Sequence, residues 1–429
     1  MRDTTKPNRR GFMGTTAAAA ATATMVHTST AAANQTEDIR LGIVGCGGRG
    51  SGAIDDSLTA NDNVRVVAAA DLYANKCANM RRAMERKHAE KVDLSDDKMY
   101  EGLDAYKRVL DDKDVDLVLL TTSPGFRPYQ VRDAVDAGKH VFAEKPSCVD
   151  PAGYRVCLEA HNKAIANNTA IVTGTQYRRQ TNFVGAVEEI RKGTIGDIVS
   201  ATTRYCSTGI WFKNRKEGMS EAEYQLFNWM HYIWLSGDQI TEQAVHNIDT
   251  LNWVMGSAPE SVYGSGGRFT RPEGSEMWDS MSLDYVYPGN RVLSFMCRQI
   301  PGSESDNGNV IYGTKGTCYI GSFSRGSRIV DRDGKEIWKM EGSIGDAYKQ
   351  EHKDLVDSIV AGKPIVELKQ TADSSLTAVM GRMAAYTGKK VTWDFVTKES
   401  QLDLFPKDLD WNGTLPPAAH AVPGKTKLT

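Results

Sequence analysis

From residue 38 onward, short and nearly continuous apolar runs alternate with stretches whose apolar positions recur at helical spacing. The runs Ile39–Val44, Val64–Ala70, Val115–Thr121, His140–Ala143 and Thr169–Thr173 read as strands. Asn75–Glu90, Pro128–Ala137 and Pro151–Asn167, which lie between them, read as helices. Strands that are apolar on both sides and separated by helices predict a parallel sheet covered on both faces, a doubly wound α/β domain. Beyond residue 176 the rhythm changes. A short helix, Phe183–Lys192, precedes strands at Ile198–Ser207, Ser261–Phe269, Met281–Tyr287, Arg291–Ile300, Val310–Gly313 and Thr317–Gly321. Turn signals such as Pro288-Gly289-Asn290 join neighbouring runs and predict an antiparallel meander. Helices at Thr241–Met255, Ala347–Ala361 and Thr371–Thr387 complete an α+β domain. After Thr397, Pro406, Pro416, Pro417 and Pro423 interrupt any periodicity and predict an extended tail. The expected division is 38–175, 176–396 and 397–429, with 1–37 set apart.

That first segment differs in composition. Lys6, Arg9 and Arg10 precede a stretch from Gly11 to Thr36 that lacks Lys, Arg, Asp and Glu and is rich in Ala and Thr. Ala31, Ala32 and Ala33 supply small residues near its end. This is the layout of a secretory signal. The string Asn8-Arg9-Arg10-Gly11-Phe12-Met13 resembles a twin-arginine export signal, which is a receptor-read address. Export to the periplasm by the twin-arginine translocation machinery is therefore expected. Ala and Thr carry too little transfer energy for a membrane span, so no stable membrane anchor is expected.

Over its 429 residues the chain is 40% hydrophobic and 25% charged, ordinary for a soluble globular protein. A formal net charge of −2 gives no electrostatic basis for a nucleic acid partner. The cysteines, Cys46, Cys77, Cys148, Cys157, Cys206, Cys297 and Cys318, are odd in number and form no CxxC. They indicate neither a disulfide framework nor a zinc site.

The clearest chemistry follows the first strand. Gly45, Gly47 and Gly50 stand at GxGxxG spacing, with Cys46, Gly48 and Arg49 between them and a helix expected after. The first glycine permits a tight turn, the second lets the backbone approach a pyrophosphate, and the third lets the helix pack closely. Asp71 closes the second strand, 21 residues after Gly50, where a carboxylate accepts hydrogen bonds from an adenosine ribose. Such a carboxylate repels a 2′-phosphate, so NAD is favoured, with nearby Lys76 leaving room for NADP. These features make the first domain a Rossmann domain. Glu144-Lys145-Pro146 ends a later strand, where side chains of an open α/β sheet face the ligand crevice. Lys145 is thereby a candidate for the nicotinamide ribose and for a substrate hydroxyl.

The Gly45–Gly50 fingerprint, the Glu144-Lys145-Pro146 triplet and the later Gly313-Thr314-Lys315-Gly316-Thr317 together resemble the glucose–fructose oxidoreductase, inositol dehydrogenase and rhizopine-catabolism family. The resemblance spans roughly residues 38 to 390. It implies a Rossmann domain followed by an α+β domain with an open-faced, mainly antiparallel sheet. It also implies a sheet face that pairs in a homo-oligomer. In the family an Asp-x-x-x-His pair works with the triplet's lysine. Here Glu242 and His246 are four apart, on one face of the expected helix, with Glu242 one methylene longer than Asp. A carboxylate beside an imidazole sets up proton transfer. Thr122-Ser123-Pro124 resembles the family's turn beside the cofactor, but Arg127 and Tyr129 stand where its histidine is usual. Tyr177 and Arg178 are candidates for substrate hydroxyls, and Trp229, His231 and Trp234 for stacking on a sugar face. Core packing is an equal reading of each, since aromatics dominate cores. His231, His246 and Glu242 have no spacing that demands a metal, and none is expected.

The expected reaction is hydride transfer on a sugar, polyol or glycoside, with Lys145, His246, Glu242 and Tyr177 as catalytic candidates. NAD is scarce outside the cytoplasm, so the expected cofactor is tightly held and regenerated in place. Two alternatives stand beside this reading. One is an exported NAD-dependent glycoside hydrolase or lyase, in which a hydroxyl is oxidised transiently and the glycosidic bond eliminated. The other is a non-catalytic binding protein on a dehydrogenase fold.

Overall fold

The computed structural model describes residues 38–429. The basic, alanine-rich segment assigned to export lies outside the described residues. In the first layer, β1 (Ile39–Val44), β2 (Val64–Asp71), β3 (Met99–Glu101), β4 (Leu117–Leu120), β5 (His140–Ala143) and β6 (Ile171–Thr173) form a six-stranded sheet ordered β3-β2-β1-β4-β5-β6. Every pairing in it is parallel. Leu117, Val118, Leu119 and Leu120 of β4 are all fully buried, the mark of a strand covered on both faces. Helices Gly48–Ala60, Ala74–His88, Arg127–Asp136 and Pro151–Ala166 form the crossovers, together with the shorter Ala105–Asp111. Asp150 caps the Pro151–Ala166 helix, its side chain accepting from the Gly153 N–H, with Pro151 at the first turn.

The second sheet has nine strands. It comprises β7 (Ile198–Ser207), β8 (Ser261–Gly267), β9 (Ser280–Tyr287), β10 (Arg291–Gln299), β11 (Asp306–Gly313), β12 (Gly316–Gly321), β13 (Ser327–Asp331), β14 (Glu336–Met340) and β15 (Val391–Thr392). Their order is β14-β13-β12-β11-β7-β10-β9-β8-β15. The sheet is mainly antiparallel, but it is not a simple meander. β7 sits between β10 and β11, parallel to β10 and antiparallel to β11. One face is buried through Ala201, Leu293, Phe295, Cys297, Ile311, Cys318 and Ile329. The other face exposes Val292, Met296 and Tyr312, which the strand register places beside Ser200 and Arg204.

Two late helices tie the layers together. Ile344–Val360 follows the second sheet in sequence, yet its Leu355 and Val356 pack into the core beneath the first sheet with Leu41, Ile43 and Phe142. Leu368–Thr387 is buried on nearly all sides, which is why it shows little amphipathic pattern. From Ser400 to the last residue the chain has no helix or strand. Among the described residues no helix is long and apolar enough to cross a membrane. The cysteines are all free and buried.

Candidate active site

A strand order that reverses beside β1 opens a crevice at the carboxyl ends of β1 and β4. A cleft of 660 Å³ occupies it. At its floor, Gly45 has φ +98°, a left-handed conformation, and a Cβ there would sit 2.9 Å from Thr121. A Cβ on Gly50 would fall 1.9 Å from the Gly45 carbonyl, so the Gly48–Ala60 helix packs on the turn only because Gly50 lacks one. Gly47 and Gly48 meet nothing within 4 Å, leaving backbone open at the helix start. Thr121 Oγ1 donates to the Gly45 carbonyl at 2.6 Å and pins the turn to β4. These features fit a dinucleotide pyrophosphate. Asp71 lies at the cleft wall and accepts from the Cys46 N–H at 2.7 Å and the Tyr73 N–H at 3.2 Å. Burial raises its carboxyl above the ordinary value despite those bonds.

Of the residues expected at the cofactor, Gly45, Gly47, Gly48, Arg49, Gly50, Asp71, Thr122, Ser123, Pro124, Glu144 and Lys145 line this cleft. Cys46 does not. Its thiol is buried 3.6 Å from Cys77 Sγ, and only its backbone N–H reaches toward the site.

A network of charges supports the far wall. Arg49 Nε donates to Glu144, and the guanidinium lies over the Tyr348 ring at 4.6 Å. Burial alone would raise the Glu144 carboxyl, but Arg49, Lys145 and Arg127 outweigh it and hold the group ionised. Arg127 is fully buried and donates to the carbonyls of Glu144 and Thr122. It thus ties the Thr122–Pro124 loop to the Glu144-Lys145-Pro146 triplet, in the place where the resemblance led one to look for histidine. Burial pulls its guanidinium down to about 10.

Lys145 reaches across the cleft. Its Nζ donates to Glu242 Oε1 at 2.9 Å and to the Glu242 carbonyl. Here the structure corrects the sequence reading. Glu242 and His246 do not share one continuous helix, because the segment breaks into Asp238–Glu242 and Val245–Met255. The Glu242 carboxylate pairs with Lys145 rather than with the imidazole. His246 also lines the cleft, its ring 5.3 Å from that of Tyr177. Burial, then the charges of Lys145 and Arg49, press its pKa well below the ordinary value, so the ring is neutral near neutral pH.

The other candidates divide. Trp229 lines the cleft. Tyr177 lies outside its lining; the ring stacks on Phe183 and the hydroxyl accepts from the Phe323 N–H at 3.0 Å. Arg178 makes two 2.8 Å bonds to Asp249, and the 249 carboxylate also accepts from Ser374. His231 is fully buried between Ser275 Oγ and the Trp211 carbonyl, with burial lowering its pKa to about 4. Trp234 donates to Gln225 in the interior. None of these four lines the cleft. Gln176, Tyr205, Gln243 and Tyr348 line the cleft and were not foreseen. Gln176 adjoins Tyr177 and Gln243 adjoins Glu242; Tyr205 and Tyr348 carry no local signal.

Two family profiles match the chain. That of an oxidoreductase family with an NAD-binding Rossmann fold covers residues 39–167, and that of the GFO/IDH/MocA C-terminal domain covers residues 183–319. The chain belongs to the GFO/IDH/MocA oxidoreductase family. It is an NAD-dependent oxidoreductase. A family member, myo-inositol 2-dehydrogenase of Thermotoga maritima, is 23% identical over 366 residues, which is 82% of this chain and 96% of the relative. The scyllo-inositol dehydrogenase of Lactobacillus casei, solved with bound NAD(H) and scyllo-inositol, has the same fold. Its TM-score is 0.64 at 18% identity, over 83% of this chain and 99% of that one. A shorter match, 31% identical over 112 residues, is to glycosyl hydrolase family 109 protein 1 of Bacteroides fragilis, covering 26% of this chain and 23% of that relative.

Proposed function

We propose that this GFO/IDH/MocA protein moves a hydride between NAD and a hydroxyl-bearing carbon of a polyol or sugar. The observation that carries the reading is the convergence of Lys145, Glu242 and His246 in the same cleft as the open glycine turn. Gly45–Gly50 would cradle the pyrophosphate, Asp71 the adenosine ribose, and Thr122–Pro124 with Lys145 the nicotinamide end. When bound, NAD supplies the hydride acceptor. Lys145, held by Glu242, polarises the substrate oxygen. His246, kept neutral, accepts the hydroxyl proton at a ring nitrogen. Trp229 offers a face for the sugar ring. The inositol dehydrogenase relatives point to a cyclic polyol as the first substrate class to try.

Export by the twin-arginine route is part of the proposal and rests on Asn8–Met13 and the uncharged stretch after it. Assembly into a homo-oligomer through the outer face of the nine-stranded sheet rests on the exposed Val292, Met296 and Tyr312. The short likeness to a glycosyl hydrolase keeps redox-neutral glycoside cleavage as a second reading. The test runs purified full-length protein with NAD against inositols, aldoses and nitrophenyl glycosides. NADH formed with a polyol or sugar supports hydride transfer. Nitrophenol released with no net NADH selects the second reading, and no turnover of any of them counts against catalysis.

A further inference from the structure

The glycine turn and the Lys145–His246 wall take up only one end of the crevice. Past Asp71 an outer chamber of 930 Å³ adjoins the cleft. The two share Leu72, Tyr73, Leu103, Tyr106 and Gln130 as walls. The chamber's far side is made by the irregular C-terminal segment, with Phe405, Leu409 and Trp411 facing in. Trp411 meets Tyr73 edge to face at 5.6 Å.

This segment is held firmly despite having no regular structure. Leu404 N–H donates to Asp150 at 2.8 Å, Ser220 Oγ to the Trp411 carbonyl at 2.5 Å, and Gln225 Nε2 to the Pro416 carbonyl at 2.7 Å. Phe405 stands 5.5 Å from Phe126 and 4.7 Å from Tyr129, ring to ring. Phe126, Phe405 and Trp411 join Leu226, Trp234 and Leu235 in an apolar cluster separate from the two main cores. Ordering a segment without helix or strand costs on the order of 1–2 kcal/mol per residue in backbone entropy. The apolar cluster beside the outer end of the cofactor crevice offsets part of that cost. The proton and hydride chemistry at Lys145 makes no use of it.

We propose that residues 404–416 form the outer wall of an adenosine subsite and slow dinucleotide release, with the Trp411 ring, braced edge-on by Tyr73, as the part of that wall the base meets. The subsite takes a planar heteroaromatic base joined to a ribose. Tyr73 sits two residues beyond Asp71, and its hydroxyl is fixed by Glu223 at 3.3 Å, so the Rossmann layer supplies the brace and the tail supplies the wall. The proposal rests on reading the crevice as the NAD site.

The test follows NADH release from the full-length protein by stopped-flow fluorescence with an NAD chase, alongside thermal unfolding of the cofactor-free protein. Trp411→Ala is expected to release NADH roughly tenfold faster, the factor for losing one aromatic wall, with the unfolding midpoint little changed. Trp411→Phe keeps release close to the unsubstituted rate. Tyr73→Leu, which removes the brace behind Trp411 and leaves the tail's anchors in place, also accelerates release and tests the same wall if Trp411→Ala fails to fold. Phe269→Ala, altering an exposed aromatic that lines neither chamber, leaves the rate unchanged. Release at the unsubstituted rate from folded Trp411→Ala or Tyr73→Leu overturns the clasp alone. If the unsubstituted protein binds no NADH, the cofactor reading falls and the clasp with it.

Discussion

Lys145→Met separates the structural and catalytic parts of the central ion pair. The Lys145 and Glu242 side chains are 14% and 13% exposed, and their charged atoms are 2.9 Å apart. At an effective dielectric near 20 the attraction is roughly 5–6 kcal/mol before desolvation. Breaking a buried pair by removing one partner costs about 3–5 kcal/mol, because the other charge is stranded. This pair faces an open cleft, where water screens the stranded carboxylate, so about 2–3 kcal/mol is the expected loss in Lys145→Met. Glu242→Gln in that background removes the stranded charge and should restore all but about 1 kcal/mol. Activity behaves differently. Losing the group that polarises the reacting oxygen should lower kcat/KM by about 10²–10³-fold, and the second substitution should recover none of it. Urea unfolding of the two variants, paired with initial rates on the best polyol at saturating NAD, reads both quantities. Lys145→Met within threefold of full activity, or a double variant that regains turnover, would refute the reasoning.

Three further outcomes are expected. Asp71→Ser removes the carboxylate that repels a 2′-phosphate, so the preference for NAD over NADP in kcat/KM should fall by about 10-fold or more, as measured with both cofactors. Acid should destabilise the fold through buried histidines. Burial lowers His231 to about 4 in the folded chain, so the unfolded chain binds the extra proton below its ordinary value, and stability present above that value is lost as pH falls toward 4. The loss from His231 alone is about 2 kcal/mol at pH 5, and His231→Gln should flatten the unfolding profile by that amount between pH 7 and 5. Finally, all seven thiols are buried and free, so a thiol reagent should label the native protein slowly and reach seven per chain only after unfolding.

What the sequence revealed was local. The glycine turn, Asp71 and the lysine triplet each depend on spacing within one strand and the loop after it, and all three line the cleft. What stayed hidden depends on distant pairing. The carboxylate of Glu242 meets Lys145 across 97 positions, and no periodicity records that. The continuous helix expected over Thr241–Met255 is interrupted where the Gln243 and Ala244 N–H groups both return to the Gln239 carbonyl, a wide turn that separates the helix ending at Glu242 from the one carrying His246. The meander failed for the same kind of reason. β7 is inserted between β10 and β11 by contacts some hundred residues removed, and turn residues report only on neighbours. Met99–Glu101 is too short to show alternation, and β14 is mostly exposed, so neither had an apolar pattern to read. The prolines after Thr397 lie in a segment that has no helix or strand beyond Ser400. They carried no hint that Phe405 and Trp411 would pack beside the crevice.

A crystal structure of the full chain with NAD and a cyclic polyol tests the central claim most directly. The account predicts the pyrophosphate on the open backbone of Gly47 and Gly48, with the nicotinamide beside Lys145 and His246. The substrate's reacting carbon should lie within roughly 3.5 Å of nicotinamide C4. A dinucleotide seated elsewhere, or a nicotinamide turned away from Lys145, would contradict it.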